Sequence, residues 1–313
     1  MKDQLVKALA LAGRVRIYAD RTTDLVQEAQ DRFNLYPGAT DALGRVLSIA
    51  SIMGGMLKSD KEMLTINING GGPLGSIIVD AYANGNVRGF VSDPHALPDP
   101  EKKQPAVSQI IGTEGTLTVT KDLSMEENWS GTVELQNGEI GQDFAYYFTL
   151  SEQTPTAVSV GVKIGRDGKV VSAGCLVLQM MPDATDTDIS ICEHILSGLK
   201  PMSKIIEDYD DASMSMFVDD LFDDTQVLST QDIRFFCPCS REHTKEVIAS
   251  LAPSEIQKMI DEDHGAEVTC NFCNAIYSFS EEELREILNK DADNLEVSEE
   301  LEEHVNEDPE HLH

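Results

Sequence analysis

The chain carries the stretch Phe236-Cys237-Pro238-Cys239-Ser240 and the later stretch Cys270-Asn271-Phe272-Cys273, with thirty residues between Cys239 and Cys270. A tetrahedral zinc site needs four ligands, and two close pairs of thiolates separated by a segment that can fold meet that need. The spacing therefore predicts a single four-thiolate zinc site. Its predicted ligands are Cys237, Cys239, Cys270 and Cys273.

The residues between and after the two pairs have the pattern of a small folded module. The predicted elements are a helix over 242–251, a helix over 254–260, a strand at Tyr277 and Phe279, and a helix capped by Ser280 with Glu283. A module of under about 60 residues buries little apolar surface. We therefore expect the unit over residues 234–290 to depend on its metal for folding.

Two other interpretations of the cysteines are a redox-active dithiol and a zinc module that binds nucleic acid. A redox Cys-x-x-Cys motif should lie where a strand meets a helix in a βαβ unit, and no such unit is evident. Phosphate binding needs a basic patch, whereas residues 234–290 hold six basic and eleven acidic side chains. The paired cysteines favour a metal, and the charge argues against nucleic acid as a partner.

Four zinc-bound thiolates are also sensitive to oxidants. Structural zinc in small modules contributes roughly 10–16 kcal/mol of apparent binding energy, and that energy is coupled to folding. A disulfide removes ligands, so zinc loss and local unfolding become one event. Oxidation of these thiolates could therefore act as a switch. Most four-cysteine zinc modules, however, only stabilise the fold and have no redox function.

The whole chain is strongly acidic, with 24 basic and 55 acidic residues among 313 and a net charge of −31. Such a surface repels phosphates and anionic membranes, and no apolar run approaches the length of about 20 residues that spans a bilayer. We expect a cytoplasmic protein that has no nucleic-acid or membrane partner and keeps its cysteines reduced. Cys175 and Cys192 lie in apolar patterns without partner spacing and are predicted to be packing residues.

Residues 1–181 have the pattern of an α+β domain with antiparallel strands and a few helices. Apolar and polar residues alternate over 64–69, which predicts a half-buried strand. The apolar stretch over 40–57 is rich in small residues and predicts a helix buried on most sides. Asn84-Gly85 and Asp167-Gly168 each lie between apolar runs and predict β-hairpins.

The stretch Gly70 to Gly75 formally matches the dinucleotide-binding pattern G-x-G-x-x-G. That motif must open a helix, whereas the β-branched run over 76–79 predicts another strand. We interpret the glycines as a hairpin turn. The chain has no nucleophile elbow, P-loop or deaminase signature, and no enzyme activity is expected.

Residues 182–233 differ from the domain before them in apolar spacing and in charge. The apolar spacing predicts three short helices, near 189–199, 202–209 and 214–222. Residues 201–234 contain nine carboxylates and two basic residues, and short helices with clustered like charge are marginal alone. We predict a metastable helical linker over 182–233. Residues 291–313, with ten acidic residues and no Lys or Arg, predict a disordered acidic tail.

Segments spread along the chain, in one order, carry a family resemblance. They are Gly72–Gly75, Ala83–Gly89, Val119–Leu123, Gly138–Ile140, Tyr146–Phe148, Ser151–Pro155, Leu178–Ala184, Phe236–Ser240 and Cys270–Cys273. Together they resemble the redox-regulated holdase chaperones of the heat-shock protein 33 (33 kDa chaperonin) family, over about residues 1–290. The acidic tail, Cys175 and Cys192 lie outside the resemblance.

The resemblance implies that the reduced protein holds one zinc ion through all four thiolates and is inactive. It further implies that oxidation forms the disulfides Cys237–Cys239 and Cys270–Cys273 and expels zinc. The zinc module and the linker then unfold, and the protein binds unfolding clients without ATP. The active form of the family dimerises, so a homodimer is expected after oxidation.

The linker offers apolar side chains that are adaptable enough to bind varied clients. The candidate client-binding residues are Met202, Met214, Met216, Phe217, Leu221 and Phe222. These side chains could equally be packing that covers a client-binding site on the N-terminal domain. Two other functions stay open: a zinc-stapled interaction module that ignores redox state, and a thiol–disulfide oxidoreductase.

Overall fold

The structure is a computed structural model that describes residues 2–125, 127–209 and 213–289. The chain divides into two compact units, Met1–Cys237 and Pro238–His313. The predicted acidic tail over 291–313 lies outside the described residues.

The first unit contains a five-stranded antiparallel sheet with the strand order β10-β1-β2-β9-β8. Its strands are β1 (Gln4–Ala10), β2 (Val15–Arg21), β8 (Thr156–Ile164), β9 (Val170–Met180) and β10 (Gln226–Asp232). The central strands β1, β2 and β9 are largely buried, whereas β10 is an exposed edge strand.

A second sheet of six strands has the order β11-β5-β4-β3-β6-β7. Its strands are β3 (Met63–Gly71), β4 (Ser76–Tyr82), β5 (Asn86–Val91), β6 (Gly112–Asp122), β7 (Trp129–Glu134) and β11 (Arg234–Phe235). All neighbours are antiparallel except β11, which pairs with β5 in parallel. The short strand β11 therefore places the chain just before Cys237 alongside β5.

Seven helices complete the described part of the first unit. They are α1 (Thr23–Phe33), α2 (Pro37–Met56), α3 (Ala106–Ile111), α4 (Gly141–Leu150), α5 (Asp186–Gly198), α6 (Met202–Asp208) and α7 (Met214–Asp219). Helix α2 packs against strands of both sheets and is buried along most of its length. A methyl group on Gly44 would lie 2.7 Å from a carbon of Val26 and 2.9 Å from Val162. The small residues of α2 thus permit the close packing that the sequence predicted.

The predicted hairpins are confirmed. Asn84-Gly85 joins β4 to β5, and Asp167-Gly168 joins β8 to β9. Gly85 and Gly168 have φ values of 82° and 81°, which glycine adopts without steric cost. The run from Gly70 to Gly75 joins β3 to β4, so it is a hairpin turn and does not open a helix.

One segment of the first unit has a structure different from the sequence prediction. Residues 226–232, which the sequence placed in a helical linker, form the strand β10 instead. Strand β10 pairs with β1, another strand that the sequence did not predict. The three predicted linker helices are present as α5, α6 and α7, and β10 follows them. That the linker is metastable stays a prediction.

The second unit is small. Its described elements are α8 (Arg241–Ala249), α9 (Pro253–Asp261), β12 (Gly265–Thr269), β13 (Ile276–Ser280) and helical residues 281–289. The predicted capping box is present, because Ser280 Oγ accepts from the Glu283 amide and Glu283 Oε2 accepts from the Ser280 amide. Among the described residues of this unit, one small hydrophobic cluster has six buried members, with partly buried residues packed around them: Ile248, Ile256, Ile260, Phe279, Leu284 and Ile287. A core of this size provides little stability by itself.

Candidate metal centre and the covered sheet face

The four cysteines of the two pairs come together in space. The Sγ atoms of Cys237, Cys239, Cys270 and Cys273 all lie within 4.8 Å of one another. A tetrahedral ion with metal–sulfur bonds of about 2.3 Å would place its sulfurs about 3.8 Å apart. The Sγ atoms of Cys239 and Cys273 are 3.1 Å apart. All six cysteines are reduced thiols with no disulfide, so the donor set and its spacing fit a soft tetrahedral metal.

Strand β11 positions the first ligand. The amide of Arg234 donates to the carbonyl of Gly85 at 3.1 Å, and the amide of Phe236 donates to the carbonyl of Val87 at 3.0 Å. These two bonds hold the chain along β5 up to the residue before Cys237.

A tight turn between β12 and β13 positions the second pair. The carbonyl of Cys270 accepts from the amide of Cys273 at 3.3 Å and from the amide of Asn274 at 2.8 Å. Asn274 has a positive φ of 59°, a conformation that Asn tolerates better than most residues. The amide of Cys270 donates to the carbonyl of Ala275 at 2.9 Å and closes the turn. Both sulfurs of the pair thus project from one rigid loop.

The sulfurs of the first pair each accept a hydrogen bond from a side chain. Arg88 Nη1 donates to Cys237 Sγ at 3.4 Å, and the Tyr277 hydroxyl donates to Cys239 Sγ at 3.2 Å. The hydrogen bond to Cys239 raises the pKa of Tyr277 to about 12, so the phenol keeps its proton and remains a donor. Donors of this kind stabilise negative charge on sulfur.

Two histidines near the cysteines make other contacts. His243 Nδ1 lies 3.5 Å from Glu246, and His264 Nδ1 lies 2.6 Å from Glu281. Four sulfurs already provide a complete tetrahedral donor set, and the described cluster contains cysteines alone.

A second feature of the molecule is the covered face, the side of the five-stranded sheet on which the linker helices pack. Its apolar residues are Val6, Ala8, Ala10, Val15, Ile17, Ala19, Leu176, Leu178 and Met180. Alternate residues of β1 and β2 point to this side, as the twofold periodicity of a strand requires. The covered face and helices α5 to α7 form one hydrophobic cluster.

The candidate client-binding residues lie mainly within that cluster. Five of the six are at most 9% exposed, and Met216 is 54% exposed. The buried five are Met202, Met214, Phe217, Leu221 and Phe222. In this state of the protein they pack on the sheet and are covered together with it.

Two carboxylates of the linker hold the turn between β1 and β2. Arg14 donates to Asp188 from Nε at 2.8 Å and from Nη2 at 2.9 Å. Asp224 accepts from the amides of Leu11 at 2.9 Å and Ala12 at 2.7 Å. The hydrogen bond from Arg14 and those from Thr185, the N-cap of α5, hold the pKa of Asp188 below its ordinary value.

The pKa of Asp224 is also low, because the backbone amides of Ala12 and Leu11 favour its charged form. The two ends of the linker are thus fastened to the same turn by charge-assisted hydrogen bonds.

The remaining two cysteines lie away from the metal centre. Cys175 is buried in β9, and its amide donates to Asp20 at 2.7 Å. Cys192 is buried in α5 within the linker cluster, and this burial raises its pKa to about 11. A thiol with a raised pKa is unreactive while it stays buried. Both positions agree with the prediction that these cysteines are packing residues.

Sequence reasoning missed Arg88, Tyr277, Arg14 and Asp224. Arg88 lies in one of the family-like segments, 83–89, which was the only signal that could have marked it. The described part of the chain contains no helix that is long and apolar enough to cross a membrane.

The fold and the site define a class: an α+β protein with two sheets, a helical cover over one of them and a four-cysteine cluster near its C-terminal end. A family model described as Hsp33 protein matches residues 3–280. The 33 kDa chaperonins of Bacillus cereus and Bacillus anthracis are each 44% identical over 289 residues, which cover 92% of this chain and 99% of theirs.

A solved structure agrees with these matches. The 33 kDa chaperonin (heat shock protein 33 homolog) of Thermotoga maritima is 32% identical and superposes with a TM-score of 0.84, over 94% of this chain and 100% of its own. The chain belongs to the Hsp33 family, whose members are chaperones rather than enzymes. The resemblance predicted from the sequence is therefore confirmed.

Proposed function

We propose that the protein is a redox-regulated holdase, a chaperone that binds unfolding proteins without ATP once its four clustered cysteines are oxidised. The observation that carries the proposal is the single hydrophobic cluster shared by the linker helices and the covered face. A large apolar surface hidden under short helices is what a switchable holdase requires, because release of the helices would expose it.

The cysteine cluster would hold Zn²⁺ in the reduced state. Zinc bound there would keep the four sulfurs as thiolates and contribute its binding energy to the fold of the second unit. The ligands Cys237, Cys239, Cys270 and Cys273 supply the four soft donors that a structural zinc site prefers. The six-residue core of the second unit makes that contribution decisive for folding.

Oxidation would join the cysteines within each sequence pair, Cys237 with Cys239 and Cys270 with Cys273. In each pair, two thiolates give two electrons to one peroxide, a sulfur–sulfur bond forms and the oxygen–oxygen bond breaks. Two protons from solution complete two water molecules. Two peroxides thus remove all four ligands, and the folding energy tied to the metal is withdrawn.

The linker would then leave the sheet. Helices α6 and α7 have seven and six residues, and helices this short are unstable without tertiary packing. Residues 201–234 also carry nine carboxylates against two basic side chains, so their mutual repulsion favours release. The boundaries of core domain, linker, zinc unit and tail, at residues 1–181, 182–233, 234–290 and 291–313, belong to this proposal.

Clients would bind apolar side chains that the release exposes. Two sets become available together: the covered face and the linker residues themselves. The linker set is Met202, Met214, Met216, Phe217, Leu221 and Phe222. The burial of five of these against the sheet favours the covered face as a binding surface at least as strongly as the linker.

The remaining parts of the proposal concern the setting in which the protein acts. We place it in the cytoplasm, as a homodimer when oxidised, with unfolding proteins as its partners. Its net charge of −31 argues against nucleic acid and anionic membranes as partners.

One experiment tests the proposed function. Reduced, zinc-loaded protein is treated with peroxide or hypochlorite under mild heat, while zinc release and suppression of aggregation of a chemically unfolded client are followed together. The proposal expects both to rise with the same dependence on oxidant. Full zinc release without any gain in activity would favour a zinc-stapled interaction module, and catalytic turnover of a disulfide substrate would favour an oxidoreductase.

A further inference from the structure

Arg88 is a basic residue of β5 whose contacts converge on the metal centre. Its guanidinium donates to Asp80 Oδ2 from Nε at 2.9 Å and from Nη2 at 2.8 Å. The other oxygen of Asp80 accepts from the Thr65 hydroxyl at 2.7 Å. Two of the three guanidinium nitrogens are therefore engaged by one carboxylate, which is itself held by a neighbouring strand.

The third nitrogen, Nη1, donates to the sulfur of Cys237 at 3.4 Å. The guanidinium is planar and rigid, so fixing two of its nitrogens also fixes the direction of the third. The side chains of Arg88 and Asp80 are only 17% and 5% exposed, so solvent screens these contacts weakly. The geometry aims a permanent positive charge at one particular sulfur of the four.

The backbone before Cys237 runs along the same strand. Strand β11 has only two residues, and Arg234 and Phe235 pair with Asn86 and Val87 of β5. A Cβ on Gly85 would lie 2.1 Å from the carbonyl oxygen of Asp232, so glycine is required for the chain to pass this closely. The contact between Arg88 and Cys237 continues this attachment beyond the last β11 pair.

We propose that Arg88 is a positioning residue of the metal centre: held by Asp80, it donates a hydrogen bond to the thiolate of Cys237 and fastens this ligand to β5. The inference rests on the proposed function only in taking the four sulfurs as a metal site. The role follows from charge and direction, because a thiolate accepts a charge-assisted hydrogen bond far more strongly than a neutral sulfur does.

Oxidation of Cys237 would change its contact with Arg88. When Cys237 becomes part of a disulfide, its sulfur loses its negative charge and the bond from Arg88 weakens. The two-residue strand β11 then loses an attachment at its C-terminal end. β11 follows β10 after Ile233. Oxidation of Cys237 would therefore also loosen the attachment of β10, the strand that ends the linker.

Zinc affinity, measured by competition with a chromophoric chelator, provides the first test. Arg88→Gln should weaken zinc binding roughly tenfold to hundredfold, as expected for loss of a hydrogen bond to a charged ligand. Arg88→Lys should restore affinity only in part, since an ammonium cannot hold Asp80 twice and aim a third donor. The matched control is Arg234→Gln, because Arg234 donates to Asn86 and lies on the same strand pair.

A second readout separates positioning from simple stability. In the Co²⁺-substituted protein, the sulfur-to-metal charge-transfer band should shift in Arg88→Gln and stay in place in Arg234→Gln. In Arg88→Gln the buried carboxylate of Asp80 loses its positive partner, which could unfold the protein. The double variant Asp80→Asn/Arg88→Gln removes that charge, so the loss of the Arg88 hydrogen bond can be measured in a folded protein. A folded double variant with wild-type zinc affinity and an unshifted band would overturn the proposal. A wild-type chain that binds neither metal would instead overturn the zinc site, and this inference with it.

Discussion

Replacing Phe217 by Ala should release the linker without any oxidant. Phe217 is 3% exposed, and its ring meets that of Tyr209 edge-on at a centroid distance of 5.5 Å. Truncation of a buried Phe to Ala costs about 3–5 kcal/mol. Helix α7 has six residues and little stability of its own, so most of this cost should fall on the docking of the linker onto the covered face.

The size of the effect can be converted into a population. At 1.4 kcal/mol per factor of ten, a cost of about 3 kcal/mol raises the fraction of molecules with an open linker roughly 100-fold. The matched control is Met216→Ala on the same helix. Met216 is 54% exposed, and exposed substitutions usually change stability by less than about 0.5 kcal/mol.

The assay uses reduced, zinc-loaded protein. Hydrogen exchange of the α6 and α7 amides should accelerate roughly 100-fold in Phe217→Ala, and the variant should suppress aggregation of an unfolded client before any oxidant is added. Met216→Ala should behave as wild type in both measurements. If the amides exchange faster in Phe217→Ala, zinc is retained and no activity appears, then uncovering the sheet is not what activates the protein.

Three further predictions concern acid, thiol reactivity and disulfide pairing. The pKa of Asp188 and of Asp224 lies below the ordinary value of 3.8, so the stability that they provide is present above that pH and is lost as pH falls through the lowered pKa. Acid should therefore loosen the linker only below about pH 3.8, and Asp188→Asn should flatten that part of a stability–pH profile. An unchanged profile would show that the hydrogen bonds of Asp188 do not hold the linker to the β1–β2 turn. Cys192 should resist iodoacetamide in the reduced protein and react once the linker opens. Peptide mass spectrometry measures its alkylation, and fast alkylation in the reduced protein would show that Cys192 does not stay buried. The Sγ atoms of Cys239 and Cys273 lie 3.1 Å apart, yet a disulfide map of the oxidised protein should contain only bonds within the sequence pairs. A bond between Cys239 and Cys273 would contradict the proposed step.

The metal centre was predictable because its information is local. Cys237 and Cys239 are two positions apart, and Cys270 and Cys273 are three apart, so each pair can present two sulfurs to one metal wherever the chain goes. Only the meeting of the two pairs had to be supplied by folding. The helices and the strand β13 of the second unit follow from apolar spacing, and the capping box follows from Ser280 and Glu283, which are three residues apart; these signals are local too.

The strand β10 was not predictable from its own residues. Gln226–Asp232 is exposed along almost its whole length, so it lacks the alternation that marks a half-buried strand. It becomes a strand because β1, more than 200 residues away in the sequence, offers an edge to pair with. Pairing with a strand that is distant in the sequence does not require alternating apolar residues, so the polar sequence of β10 gives no sign of it.

The hydrogen bonds to sulfur have a similar origin. Arg88 reaches Cys237 because β11 pairs with β5, and that pairing is a property of the folded chain. Its neighbours in the sequence mark a turn and a strand and give no sign of a metal centre. The hydrogen bonds of Arg14 with Asp188 and of Leu11 with Asp224 likewise join residues from opposite ends of the first unit.

On the proposed mechanism, loss of the metal and release of the linker from the covered face are one event. Hydrogen exchange followed during oxidation of the wild-type protein tests this most directly, with zinc release recorded in the same sample. The amides of α6 and α7 should lose protection at the rate of zinc release, while the amides of β2 and β9 beneath them stay protected. Protected α6 and α7 amides in a protein that has released its zinc and suppresses client aggregation would contradict the proposed mechanism.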